Sequence, residues 1–277
     1  MLVKKVRLAA VVGVVCGVAG GRLTAQELRN GGFEEVSDRG AVQGWHAVGS
    51  FVCDTAQAHG GARSIRCEVP QGGANGRGGV MQEIVYDRPD TAPIVFGGWS
   101  RAEGVMAAEY CIYLDIWYAG GGNAWGVTAS WSQPTHDWEY TAEVFYPEKP
   151  VQKIQVFVFL RNGSGRVWFD DLTLERRVPA LGIKSMRLFT DVPRTADGVV
   201  VNLAFWKRAQ WQCRVLERGE ERARFAGDGM SAAFGATGGP GRALAVTARA
   251  GDEHFEQTVP LPAIPLARAN PVPRGCA

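Results

Sequence analysis

Tyr110-Cys111-Ile112-Tyr113-Leu114-Asp115-Ile116-Trp117-Tyr118 is the stretch on which the reading of this chain turns. Successive side chains of a β-strand point to opposite faces. Tyr110, Ile112, Leu114, Ile116 and Tyr118 then share one face, apolar enough for a core. Cys111, Tyr113, Asp115 and Trp117 share the other, where rings accompany a carboxylate. That mixture is odd in a core and expensive on a plain surface.

The run Gln152–Arg161 repeats the split. Ile154, Val156, Val158 and Leu160 make one face, and Lys153, Gln155, Phe157, Phe159 and Arg161 the other. In Ile94–Arg101, Phe96 falls on one side and Trp99 and Arg101 on the opposite one. Trp125, Val127, Ala129 and Trp131 align on one side of their own strand. If these strands share a sheet, its non-core face carries Trp99, Arg101, Tyr113, Asp115, Trp117, Gln155 and Arg161, and Trp125 joins them as a candidate binding residue. Flat rings offer apolar area at low entropic cost, and charged or amide groups give directional hydrogen bonds. A few polar groups among aromatics is the usual composition of a small-ligand cleft. The competing reading is that a long loop or a second domain covers these rings as ordinary core.

Further out, short alternating runs recur, broken by Gly, Pro, Asn and Asp. No long amphipathic helix interrupts them. The pattern predicts an all-β protein. Nine or ten strands up to Glu175 suit a jelly-roll β-sandwich of two packed sheets. Residues 176–184, with Pro179 and Gly182, read as a linker. Residues 185–259 hold about five weaker strands and read as a small immunoglobulin-like β-sandwich. The Pro-rich tail, 260–277, reads as extended or disordered.

The chain has 277 residues, 46% of them hydrophobic, which excludes wholesale disorder. Its 30 basic and 28 acidic groups give a formal charge of +2, with no basic stripe for nucleic acid. Lys4, Lys5 and Arg7 precede an apolar stretch from Leu8 to Gly21, and Leu23-Thr24-Ala25 offers a cleavage site before Gln26. Residues 1–25 therefore read as a secretory signal peptide rather than a membrane anchor, the stretch being short of the ~20 residues that span a bilayer. Its removal leaves 26 basic against 28 acidic groups, no membrane span, and a secreted, periplasmic or extracellular location. Five cysteines remain: Cys53, Cys67, Cys111, Cys213 and Cys276. Export permits disulfides, and Cys53–Cys67, flanking a turn, is the best pair. Buried unpaired thiols are the other reading.

An ordered set of short motifs carries a resemblance. Asn30-Gly31-Gly32-Phe33-Glu34 is followed by Gly44-Trp45, by Gly61-Ala62-Arg63-Ser64-Ile65, by Gln82 before a strand, and by Gly165-Arg166-Val167-Trp168-Phe169-Asp170-Asp171-Leu172-Thr173-Leu174. Over about residues 27–176 this set resembles carbohydrate-binding modules of the family 4/9 type, in the galactose-binding-like jelly-roll superfamily. The resemblance implies a glycan or polysaccharide partner, held by stacking and hydrogen bonds without catalysis. It also implies attachment to a larger glycan-processing assembly. It further implies a structural calcium ion, with Glu34 and Asp171 as ligands and Asp170 as the alternative. Oxygen ligands suit that hard cation. Strand-end capping by Asp170 and Asp171 is the plainer alternative.

Enzyme signatures are absent from the sequence. His46, His59, His136 and His254 form no close metal pair, and there is no Gly-x-Ser-x-Gly elbow. A glycoside hydrolase would need paired carboxylates, for which Asp115, Glu139 and Glu143 are the candidates. A structural or interaction protein of the cell envelope would use the same aromatic face as a protein interface. Both remain as alternatives to glycan binding.

Overall fold

The computed structural model describes residues 27–72, 76–190 and 198–261. Residues 1–26, on which the signal-peptide reading falls, and the tail from residue 262 lie outside the described residues. The described chain is all-β. Its strands are β1 His46–Ala47, β2 Val52–Asp54, β3 Ser64–Val69, β4 Arg77–Asp90, β5 Ile94–Tyr118, β6 Asn123–Ser130, β7 His136–Phe145, β8 Val151–Arg176, β9 Ile183–Thr190, β10 Gly198–Glu217, β11 Glu220–Thr237, β12 Arg242–Ala250 and β13 Glu253–Pro260.

Two strands organise the first part. β5 and β8 pair antiparallel along most of their lengths, from Ile94↔Arg176 to Tyr118↔Val151. Both serve two layers. The first sheet runs β1–β4–β8–β5–β6, using the N-terminal half of β8 and the C-terminal half of β5. The second runs β2–β3–β8–β5–β7, using the other halves. Between the layers lies one apolar core. Ile112, Leu114, Ile116, Ile154, Val156, Val158 and Leu160 come from the first sheet, and Ile65, Cys67, Val69, Val167 and Phe169 from the second. The parity read from Tyr110–Tyr118 and Gln152–Arg161 therefore places the aliphatic faces inward, in a β-sandwich.

The motifs near the N-terminus close one end of this core. The Asn30 side chain bonds the Glu35 and Gln43 carbonyls and the Glu35 amide. The Trp45 indole donates to the Asn30 carbonyl. Gln82 binds the Arg29 amide and carbonyl and the Gly44 carbonyl. Three segments, 29–35, 43–45 and Gln82 of β4, thus satisfy each other's backbone groups, as burial requires. Gly44 makes this turn at a φ of 81°.

The second part continues the second sheet. β9 pairs with the edge of β7 at Tyr140↔Met186 and Thr141↔Ser185. β10 then pairs with β9, β11 and β12, and β13 closes on β12. A separate core, including Val199, Val201, Phe205, Cys213, Leu244 and Val246, lies within it. Trp99 and Tyr140 of the first part pack against that core. An ion pair crosses the same seam: Arg187 Nε of β9 stands 3.2 Å from Glu139 Oε1 of β7, a carboxylate whose residue is only 1% exposed.

The cysteine pairing expected from the sequence is corrected. Cys53, Cys67, Cys111 and Cys213 are all free thiols. Cys53 sits opposite Ile65, which leaves Cys67 two residues further along. Diagonal neighbours stand ~7–8 Å apart, too far for a disulfide. Cys67 is core, and burial pushes its thiol well above the usual range.

The crossing of β5 and β8 between layers depends on a close approach. A Cβ at Gly163 would lie 2.2 Å from the Met106 carbonyl oxygen and 2.3 Å from the Ala107 Cα. Both are backbone atoms and cannot swing aside. Gly163→Ala is expected to cost ~1–3 kcal/mol, as overpacking does, and to lower the melting temperature in a thermal scan. Gly235→Ala, where nothing lies within 4 Å, should leave it unchanged.

Candidate functional site: an aromatic face on the first sheet

The outer face of the first sheet gathers six of the eight residues expected to hold a ligand. Register places Asp115 beside Gln155, Trp117 beside Lys153, and Tyr113 beside Phe157 on the neighbouring strand. β4 adds Glu83 opposite Gln155. Tyr113 lies edge-on to Phe157 with centroids 6.0 Å apart, and 5.5 Å from Phe159. Phe157, Phe159 and Lys153 share this face, as the alternation in Gln152–Arg161 requires. Glu83 and Glu109 were not legible as members, because strand register is not written in one strand.

Trp125 reaches the face by an irregularity. Leu114 pairs with Val127 and Ile116 with Ala124, so Trp125 and Gly126 together stand opposite Asp115. The extra residue re-aims the strand, as a bulge does. Gly126 has a φ of 72°, which suits glycine. Simple alternation put Trp125 on the side of Val127, Ala129 and Trp131. Ala129 and Trp131 are indeed buried, whereas Trp125 is 52% exposed. Its ring meets Trp117 at 4.8 Å and 85°.

Polar groups are interleaved with the rings. Arg161 forks onto Glu109, with Nη2 2.6 Å from Oε1 and a second bond from Nε. Its guanidinium also lies 4.7 Å from the Phe159 centroid. Glu83 Oε2 accepts from Gln155 Nε2 at 2.9 Å and pairs with Lys153 Nζ at 3.2 Å. Burial pushes the Asp115 carboxyl above the usual carboxylate range. The Gly126 amide, the Tyr113 hydroxyl and the Arg161 charge pull the other way. One Asp115 oxygen, Oδ1, is buried without a hydrogen-bond partner.

Trp99 and Arg101 are not part of this face. They lie on the N-terminal half of β5, in the second sheet. Trp99 stacks on the His59 ring at 3.9 Å and turns towards Tyr140 at the seam. Arg101 lies 5.1 Å over Trp168, donates to Gln57 at 2.6 Å, and pairs with Glu103 and Asp137. The sequence showed their parity correctly. It did not show that one strand passes from one layer to the other.

The three acidic residues assigned to calcium meet at another corner. Glu34 Oε1 accepts the Ala62 and Arg63 amides at 2.8 and 2.9 Å. Asp170 Oδ2 accepts the His59 and Gly60 amides, and Oδ1 its neighbour's amide. Asp171 Oδ2 lies 2.6 Å from His59 Nδ1. Burial, then the adjacent Asp171 charge, pushes Asp170 up to about 7. Hard oxygen donors fit a hard cation in chemistry, and Arg63, 3.6 Å from Glu34 Oε2, offsets only part of the negative charge. As described, N–H groups of the 59–63 turn already satisfy them, and among the described residues no cluster of three or more metal-binding side chains forms.

The carboxylates considered for hydrolysis are dispersed. Asp115 belongs to the aromatic face. Glu139 is buried beside Ser132 and Arg187, and Glu143 pairs with Lys184 at 2.7 Å.

No family model matches the chain. Over 100 residues, 34% of its length, it is 28% identical to the tRNA nuclease WapA of Bacillus subtilis strain 168. It is 29% identical, over the same share, to the tRNA(Glu)-specific nuclease WapA of Bacillus subtilis subsp. natto. The chain spans about 4% of the length of these curated relatives. Among solved structures it is similar to a Family 16 Carbohydrate Binding Module-2, at 16% identity and a TM-score of 0.40, over 53% of this chain and 98% of that one. It is similar to TmCBM61 in complex with beta-1,4-galactotriose, at 18% and 0.38, over 56% and 100%. It is also similar to the CBM22-1 xylan-binding domain from Paenibacillus barcinonensis Xyn10C, at 13% and 0.36, over 56% and 97%.

Proposed function

We propose that this protein binds a glycan, without cleaving it, on the outer face of its first sheet. The observation that carries this reading is the gathering of Tyr113, Trp117, Trp125 and Phe157 on one partly exposed sheet surface, with Glu83, Gln155 and Arg161 among them. Rings present apolar area to the C–H face of a sugar, and the polar groups hydrogen-bond its hydroxyls. Lys153 and Arg161 each already have a carboxylate partner. An uncharged sugar chain is therefore the better match than an acidic one. A single such face should bind weakly, because polar groups must be desolvated and the chain ordered. Carriage within a larger glycan-processing assembly would raise effective concentration.

Calcium and export belong to the same reading. Glu34, Asp170 and Asp171 would hold the ion, which would supply countercharge at their corner and pin the 59–63 turn. Residues 1–25 would direct export and be removed before Gln26.

The test is affinity electrophoresis in gels containing soluble xylan, galactan or β-glucan. Retardation by one of them is expected. Trp125→Ala should weaken it about tenfold, the order of one lost stacking ring, with the melting temperature held. Trp99→Ala should lower the melting temperature and leave retardation in place. No retardation of folded protein on any of them overturns the glycan reading. For the ion, added calcium should raise the melting temperature and a chelator lower it; no change in either direction removes calcium. For export, N-terminal sequencing of the secreted protein should begin at Gln26.

A further inference from the structure

The geometry points to a self-capped ring: Lys153 occupies the face of Trp117, so that Trp125 is the platform a ligand meets and Lys153 sets how readily Trp117 joins it. The inference rests on the glycan reading for the nature of the ligand, and on the described contacts for everything else.

Trp117 stands on β5 between two neighbours. On the β8 side its register partner is Lys153, whose Nζ lies 4.1 Å from the ring centroid. That is well inside the ~6 Å range of a cation–π contact. Glu83 Oε2 holds the ammonium there at 3.2 Å, and Gln155 steadies Glu83 at 2.9 Å. On the β6 side Trp125 abuts Trp117 at 4.8 Å and 85°. Trp117 is thus clamped between a cation and an indole. Trp125, turned across it, remains 52% exposed.

Parity alone ranks the two indoles as equals. The contacts do not. A sugar can stack on Trp125 without breaking any polar contact. To stack on Trp117 it must first lift Lys153 off the ring and away from Glu83. That displacement opposes binding. Lys153 thereby becomes a specificity residue that acts on the ligand through Trp117.

Hydroxyl-radical footprinting of the full chain, read by peptide mass, tests the cap without any glycan. In the wild type, Trp125 should be oxidised severalfold faster than Trp117. In Lys153→Ala, Trp117 should speed up severalfold while Trp125 stays the same. The second measurement is retardation of the same variant in the xylan, galactan and β-glucan gels. Affinity should rise about fivefold, the order of one exposed cation–π contact released. An unchanged Trp117 rate in Lys153→Ala overturns the cap, whatever the gels show. Weaker retardation of the variant also overturns it, because Lys153 would then be a direct ligand contact. If the footprint behaves as expected and no polysaccharide retards either protein, the cap stands and the glycan reading fails.

Discussion

The hydrogen-bonded ladder between β5 and β8 is the constraint from which the first part is built. Because both strands run through both layers, one ladder sets the register of two sheets at once. A slip of one residue would turn Ile112, Leu114 and Ile116 outward and bring Tyr113, Asp115 and Trp117 into the core. Burying the Asp115 carboxyl without full pairing, and exposing the aliphatic face, would both be unfavourable. The core therefore enforces the orientation of the aromatic face. Stability and the candidate site are two consequences of one alternation.

That alternation was legible from residues alone wherever a strand is regular. Tyr110–Tyr118 and Gln152–Arg161 face as their parity requires. Legibility failed at three irregularities. The passage of β5 between layers, near Glu103–Met106, carries Trp99 and Arg101 away from the other site residues. Hydrophobic period is blind to this, because the apolar side stays inward on both sides of the bend. The bulge at Trp125–Gly126 reverses the expected side for one ring, and a lone glycine in a strand only hints at it. The offset of Cys53 from Cys67 depends on hairpin register. In each case the missing information is which residue lies opposite which.

The motifs behind the family resemblance are explained by structure more than by binding. Asn30, Trp45 and Gln82 exchange hydrogen bonds with backbone groups from distant segments. Glu34 and Asp170 accept backbone amides from the 59–63 turn. These residues close the sandwich at its ends. The aromatic face lies elsewhere, on strands whose outward residues take no part in that closure. End-closing motifs of this kind describe a scaffold and leave what is bound to the outward residues.

The seam between the two parts has its own implication. Glu139 reaches Arg187 across the β7–β9 junction, and Trp99 and Tyr140 lie against the neighbouring core. Pulling the parts apart would remove the cation that faces Glu139 and wet two large rings together. Intermediate states with one half loose are thereby disfavoured. The two cores, though separate in composition, are joined by one continuous sheet at the β7–β9 pairing, so loosening one half costs contacts that belong to the other.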